Sequence, residues 1–87
     1  MYTIKYTKHA VGDIPKLKAA HLDLKAKALI EILRTDPYQS PPPYEKLKGD
    51  LDGTFSRRIN IKHRLVYAVY DIEKTIKIIS LWTYYDF

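Results

Sequence analysis

Apolar and polar side chains alternate at the start of the chain and predict its first element. Between Tyr2 and Thr7 the alternation has a period of two, which is typical of a half-buried strand. Apolar side chains then recur at three-residue steps. This spacing predicts a first helix from His9 to about Ala20, with Pro15 near its first turn, where a missing N–H is least costly.

A second helix is predicted from Asp23, whose carboxylate can cap it, to about Thr35. Its apolar side chains form a stripe at helical spacing that we expect in the core: Leu24, Ala28, Leu29, Ile32 and Leu33. The helix is expected to end before Pro37, because the residue before a proline is disfavoured in helical geometry. A long loop, through Gly53 and with four of the five prolines, should follow.

Three further strands are predicted near the carboxyl end: about Thr54 to Ile61, Arg64 to Asp71, and Thr75 to Thr83. The short spacing between the last two fits a hairpin. The element order β-α-α-β-β-β favours an α+β fold with a mostly antiparallel sheet, two helices packed on one face and the other face open. Length favours a single domain over residues 1–87.

The strand after Gly53 places two arginines on opposite faces. Its more apolar side includes Arg57 and should meet the helices, so Arg58 should point into the open face, where Arg64 of the next strand can join it. Two guanidinium groups on one surface repel each other unless an anion joins them, and phosphate matches their planar fork. The alternative is that each arginine pairs with a carboxylate such as Asp50 or Asp52, or is solvated.

Other candidate residues have two interpretations each. Glu45 lies in the basic loop before the sheet. It could serve as a general base or as a salt-bridge partner. His63 fits a turn histidine that bonds backbone better than an acid or a ligand, because nothing else has metal-ligand spacing to it. In the tail SLWTYYDF, Trp82 is expected in the core, and either Tyr84 or Tyr85 should share the arginine face, where bases can stack.

Composition narrows the class of protein without choosing its partner. The formal charge of +5 favours contact with nucleic acid, an anionic membrane or an acidic protein. The absence of cysteine gives no sign of a disulfide scaffold, and no apolar run reaches the roughly 18 residues of a membrane span. A soluble, cytoplasmic protein is therefore expected. No glycine-rich phosphate loop, zinc spacing or nucleophile elbow occurs in the sequence.

The segment YEKLKGDLDGTFSRRINIKHRLVYAVYD resembles the signature region of the YoeB/Txe toxins of bacterial toxin–antitoxin modules, in the RelE superfamily of messenger-RNA interferases. LKGDLDG and SRRINIKHRLVY are its most specific parts. The resemblance implies a RelE-like fold and a toxin that inhibits translation as a ribosome-dependent endoribonuclease, without metal or cofactor. The implied partners are an acidic cognate antitoxin, the ribosome and messenger RNA, with no membrane, and by family analogy a second copy of the chain.

The resemblance also implies roles for individual residues. Glu45 matches the carboxylate base that accepts the proton of the ribose 2′-hydroxyl, and Arg64 matches the arginine that stabilises the phosphate. Arg58 and Lys48 match supporting basic groups of an RNA-binding cleft, to which Tyr85 would add an aromatic surface.

The tail departs from the family at the general acid. YoeB-like toxins usually end in a His-Tyr pair, whereas Tyr84 stands here at the histidine position and Tyr85 follows. Tyrosine, with a reference pKa near 10 against about 6.5 for histidine, is a weaker proton donor at pH 7. Either a tyrosine with Arg64 suffices, or the protein still binds ribosome and antitoxin but has lost most nuclease activity.

Overall fold

The computed structural model describes residues 1–47 and 53–84, with side chains through Trp82. The helices and strands within these ranges are, in chain order, β1 (Thr3–Tyr6), α1 (Lys8–Ala19), α2 (Asp23–Thr35), β2 (Tyr44–Lys46), β3 (Thr54–Arg58), β4 (His63–Tyr70) and β5 (Thr75–Tyr84). No helix in these ranges is long and apolar enough to cross a membrane.

The five strands form one sheet in the order β1-β5-β4-β3-β2. β1 runs parallel to β5, and the other neighbouring strands are antiparallel. Both helices pack against one face, where their buried side chains meet those of β4, β5 and the residue after β3: Ala10, Leu17, Ala26, Leu29, Ile30, Leu33, Ile59, Leu65, Tyr67, Ile76, Ile78 and Leu81. The α+β fold, its mostly antiparallel sheet and the hairpin of β4 and β5 are confirmed.

The sheet has one strand more than predicted. β2 lies inside the segment that the sequence predicted to be a loop, and it pairs with β3 through Tyr44–Arg57, Glu45–Ser56 and Lys46–Phe55. Three residues give too little alternation to be recognised, and the prolines before them favour a loop. The prediction was therefore wrong at β2, and Glu45 belongs to an edge strand.

β3 ends at Arg58, so the prediction that it continues to Ile61 was wrong. The Oδ1 atom of Asn60 accepts hydrogen bonds from the backbone N–H groups of Lys62 at 2.9 Å and His63 at 2.7 Å. A side chain that satisfies the backbone in this way stabilises a turn instead of a strand. Ile61 is consequently exposed in the turn, whereas Ile59 remains in the core.

The first helix begins one residue earlier than predicted. Thr7 caps α1, since its Oγ1 accepts a hydrogen bond from the N–H of Ala10 at 3.0 Å. Pro15 therefore lies in the interior of α1 and not near its first turn, which corrects the prediction. There its ring removes one helical hydrogen bond, and packing must offset that loss.

The second helix has the predicted bounds but a different cap and a different buried face. Leu22 occupies the N-cap position without a side-chain bond, while Asp23 lies in the first turn, where a negative charge favours the helix dipole. The buried side chains are Ala26, Leu29, Ile30 and Leu33, whereas Leu24 and Ala28 are exposed and Ile32 is half-buried. Both sets have helical spacing, so the pattern alone could not choose between them.

Candidate active site

Two arginines and a glutamate line a cavity of about 270 Å³ between β2, β3 and β4. Successive strand side chains alternate between faces, and Phe55 and Leu65 pack with the helix-side core, so Ser56 and Arg64 lie on the opposite face. We call this cavity the arginine cleft. Its lining residues are Pro43, Tyr44, Glu45, Ser56, Arg58 and Arg64.

Arg64, on β4, is fixed in the cleft by a side chain from the neighbouring strand β3 and one from the edge strand β2. Its Nη1 donates to Ser56 Oγ at 2.9 Å, and its Nη2 lies 3.4 Å from Glu45 Oε1. Only 5% of the residue is exposed. A guanidinium held from two sides keeps its orientation without a ligand, and this is the property that preorganised electrostatic stabilisation requires.

Arg58 lies directly opposite Arg64 in the register of β3 and β4. It is exposed, and within residues 1–47 and 53–84 no hydrogen bond or ion pair is found for its side chain. Like charges directly across a strand pair destabilise it. Among the described lining residues, two guanidinium groups against one carboxylate leave a surplus of positive charge, which an anion such as phosphate would neutralise. The predicted shared face of the two arginines agrees with this geometry.

Glu45 stands at the rim of the cleft on β2. Its side chain is 57% exposed, and the carboxylate approaches Arg64. The ion-pair interpretation from the sequence is therefore realised in this conformation, and the same position leaves the carboxylate accessible to a substrate. The alternative carboxylates, Asp50 and Asp52, lie outside the described residues.

The remaining predicted site residues are described only in part. Lys48 and Tyr85 lie outside the described residues, and of Tyr84 only the backbone is described, at the end of β5 opposite His63. His63, predicted to lie in a turn, is the first residue of β4, and its ring stacks on Trp82 with centroids 3.7 Å apart. Trp82 packs against the core, as predicted.

Sequence reasoning missed the role of Arg57, the neighbour of Arg58. It is 1% exposed, and its guanidinium donates to backbone carbonyls before β2: Pro42 at 2.6 Å from Nη1, with Gln39 at 2.8 Å and Pro37 at 2.9 Å from Nη2. We call these contacts the loop bracket. A signal was present: an arginine among apolar positions, together with a proline-rich segment whose carbonyls have few N–H partners.

Tyrosine hydroxyls around the same loop remain protonated at neutral pH. Burial raises the pKa of Tyr67, which accepts a hydrogen bond from Arg57 Nε at 3.1 Å. Burial and a hydrogen bond to Asp71 raise the pKa of Tyr38 to about 12. The hydroxyls of Tyr2 and Tyr38 each donate to Asp71 at 2.8 Å, and these bonds lower the pKa of its carboxyl. Tyr38 thus attaches the loop at a second point, to Asp71. This residue follows the end of β4 that is remote from the cleft.

Comparison with known proteins identifies the family. The model for the YoeB-like toxin of bacterial type II toxin–antitoxin system matches residues 6–85. The chain belongs to this family.

Individual relatives agree with the assignment. The YoeB toxin of Synechocystis sp. is 42% identical over 58 residues, which are 67% of this chain and 65% of the relative, so the chain spans just under two thirds of that relative. The solved YoeB/ParE toxin from Agrobacterium tumefaciens superposes with a TM-score of 0.85 at 28% identity, over 95% of this chain and 99% of the other.

Two solved structures from Staphylococcus aureus add assemblies to the comparison. The heterotetrameric YoeB-YefM toxin–antitoxin complex matches with a TM-score of 0.80 at 32% identity, over 98% of this chain and 99% of the other. The YoeB dimer matches with a TM-score of 0.69 at 34% identity, over 97% and 98% of the two chains.

Proposed function

We propose that this protein is the toxin of a type II toxin–antitoxin pair and that it inhibits translation by cutting messenger RNA on the ribosome. The observation that carries the proposal is the arginine cleft in a member of the YoeB-like family. Within it, Arg64 is oriented by Ser56 and Glu45, and Arg58 adds a second positive charge opposite it. The cleft thus combines an accessible carboxylate with groups that stabilise an anion.

The proposed reaction is an intramolecular phosphoryl transfer. The ribose 2′-oxygen attacks the adjacent phosphorus while its proton passes to Glu45, and the bond from phosphorus to the 5′-oxygen breaks. A proton donor, for which Tyr84 is our candidate, protonates the departing 5′-oxygen. The products are a 2′,3′-cyclic phosphate and a 5′-hydroxyl. Arg64 stabilises the extra negative charge on the phosphate oxygens during this step, so the protein itself supplies base, acid and charge stabilisation.

Binding of the messenger would use the outer parts of the site. Arg58 and Lys48 are proposed to contact neighbouring phosphates, and Tyr85 to provide a surface on which a base stacks. The exposed position of Arg58 supports this division, because a solvated arginine contributes more to attraction than to precise orientation.

The second candidate function is a toxin-like module that binds RNA or the ribosome and cuts poorly, because Tyr84 replaces the usual histidine. We expect wild type to cut a messenger in a translating extract at the ribosomal decoding site, leaving 5′-hydroxyl ends. Tyr84→His should cut faster at pH 7, by about tenfold or more, because general-acid catalysis improves as the donor pKa approaches the working pH. Primer extension maps the ends and gives the rates.

Three outcomes of this experiment separate the two functions. Tyr70→His, which changes a tyrosine at the far end of β4, is the matched control and should leave the rate unchanged. Cleavage only by Tyr84→His would favour the binding module, and no cleavage by either protein would reject the nuclease. If wild type cuts, Tyr84→Phe and Tyr85→Phe identify the hydroxyl that serves as acid; two fully active mutants would reject both.

An acidic antitoxin is the proposed inhibitor of the cleft. The net charge of +5 and the positive surplus around Arg64 favour an acidic segment there, and the YoeB of S. aureus has been solved with YefM. Dimer formation, as in the solved S. aureus YoeB dimer, and action in the cytoplasm, where messengers are translated, belong to the same proposal. Adding the purified antitoxin encoded beside this toxin at equimolar concentration should stop cleavage; an unchanged rate would reject it as the inhibitor.

A further inference from the structure

A single buried guanidinium holds the segment that leads to β2. Arg57 donates to the carbonyls of Pro37, Gln39 and Pro42 and to the hydroxyl of Tyr67, and no carboxylate pairs with it within residues 1–47 and 53–84. A buried charge is tolerated only when its hydrogen-bonding groups are satisfied. The loop bracket is therefore a specific arrangement, in which neutral carbonyls from three points of one loop converge on one cation.

The last contact of the loop bracket, at Pro42, lies two residues before the start of the edge strand β2. Pro42 lies three residues before Glu45, and the intervening Tyr44 contacts Arg57 twice: its backbone is the β-sheet partner of Arg57, and its ring lies 5.0 Å from the guanidinium carbon. β2 has only three residues and, among the described strands, pairs only with β3. The other described contacts that hold this approach are the packing of the Tyr44 ring with Tyr38 and Phe55 and the more distant tether from Tyr38 to Asp71.

We propose that Arg57 is a positioning residue for Glu45. By holding the loop bracket, it sets where the Glu45 carboxylate stands relative to Arg64 and to the 2′-hydroxyl of a bound messenger. The inference rests on the proposed role of Glu45 as the base. It assigns adjacent arginines to different tasks on opposite faces of β3: Arg58 faces the RNA cleft, and Arg57 holds the strand that carries the base.

The chemistry of the bracket requires arginine specifically. A planar guanidinium presents donors in fixed directions, and Arg57 uses Nε, Nη1 and Nη2 together. A lysine ammonium keeps the charge but has one nitrogen, which cannot occupy the positions of Nε, Nη1 and Nη2 at the same time. Arg57→Lys should thus preserve burial and charge while loosening the position of β2.

The test compares two variants, each of which removes contacts that hold the same loop. Arg57→Lys should lower the cleavage rate at saturating toxin by about 10- to 100-fold, because a displacement near 1 Å of a reacting group has effects of this size. The toxin concentration for half-maximal rate should change by less than about twofold, since the RNA contacts remain. The matched control is Tyr38→Phe, which removes the tether to Asp71 and should leave the cleavage rate per folded molecule unchanged.

A double mutant separates positioning from general destabilisation. In a Glu45→Gln background the base is already absent, so Arg57→Lys should slow cleavage further by less than about twofold. An equal slowing in both backgrounds would overturn the proposal, as would an Arg57→Lys rate equal to that of Tyr38→Phe. Should Arg57→Lys fail to fold, Tyr67→Phe removes only the acceptor of Arg57 Nε and should slow cleavage several-fold with the same dependence on Glu45; an unchanged rate overturns the proposal.

A structural measurement distinguishes failure of this inference from failure of the proposed function. A crystal structure of Arg57→Lys, or of Tyr67→Phe if that variant alone folds, should show the Glu45 Oε1 to Arg64 Nη2 separation increased from 3.4 Å. An unchanged separation overturns the positioning role whatever the activity. If Glu45→Gln alone has no effect on cleavage, the base assignment fails, and an increased separation still supports Arg57 as the residue that positions Glu45.

Discussion

Replacing Arg64 with alanine is expected to slow messenger cleavage by about 10²- to 10³-fold, which corresponds to about 3–4 kcal/mol of lost transition-state stabilisation. The reason is that Arg64 is preorganised. Ser56 and Glu45 hold its guanidinium in a nearly buried position and a defined orientation before any substrate arrives. A donor that needs no reorganisation acts mainly on the chemical step. The effect should appear in the single-turnover rate at saturating toxin, measured on ribosomes programmed with a defined messenger.

Two further variants make the Arg64 result specific. Arg34→Ala removes an arginine from an ion pair on α2, at 3.5 Å from Glu31, and should leave cleavage unchanged. Arg64→Lys keeps the positive charge but lacks the two separate Nη donors of the guanidinium. It should therefore cut only slightly faster than Arg64→Ala. Thermal melting of each protein separates lost folding from lost catalysis. An Arg64→Ala protein that is folded and cuts within about threefold of wild type would contradict the assignment.

Arg58 should behave differently from Arg64, because the two cleft arginines differ in burial. Arg58 is exposed and unpaired in the described part of the chain, so its contribution should be mainly to attraction of the RNA backbone. In the same assay, Arg58→Ala should raise the toxin concentration needed for half-maximal rate and flatten its salt dependence by about one unit of slope. A loss confined to the saturated rate would instead make Arg58 part of the catalytic machinery.

Glu45→Gln is expected to reduce the saturated cleavage rate by about 10²-fold or more, the range in which general-base catalysis contributes. The amide is nearly the same size but cannot accept the proton of the 2′-hydroxyl. The fold should be affected little, because the Glu45 carboxylate is exposed and Arg64 keeps its hydrogen bond to Ser56. The same programmed ribosomes and single-turnover assay give the rate.

α2 offers a close match for the control. Glu31 pairs with Arg34 at 3.5 Å, against 3.4 Å for Glu45 and Arg64, and both glutamate side chains are 57% exposed. Glu31→Gln therefore removes an ion pair of similar length outside the cleft, although Arg34 is more exposed than Arg64, and it should leave the rate unchanged. Equal rates for the two glutamine variants would show that Glu45 is an ion-pair partner of Arg64 and not the base.

Some of the candidate site follows from local pattern alone. Alternation in β3 and β4 predicted that Arg58 and Arg64 share a face, and the register of these two strands agrees. This succeeded because side-chain direction in a strand depends only on position along it. The same rule could not foresee that Arg64 would be buried and Arg58 exposed, since burial depends on what neighbouring strands contribute.

Other parts of the site depend on contacts between distant segments. Glu45 meets Arg64 across 19 residues of sequence, and Arg57 reaches Pro42 and Pro37 across 15 and 20 residues. These pairs exist where β2 pairs with β3, and β2 is too short to be recognised by its pattern. The buried face of α2 was mispredicted for a related reason: two apolar stripes fit the helical period, and only packing against the sheet selects one.

Four features could be predicted from the residues alone: the α+β class, the order of the longer elements, the shared face of two arginines and the resemblance to the YoeB/Txe toxins. These features depend on local periodicity and on residue identity. Three others are visible only in the folded protein: the edge strand that carries Glu45, the orientation of Arg64 by side chains of two strands, and the contacts of Arg57 with a proline-rich loop. Burial and hydrogen-bond geometry are properties of packed surfaces, which a linear pattern does not specify.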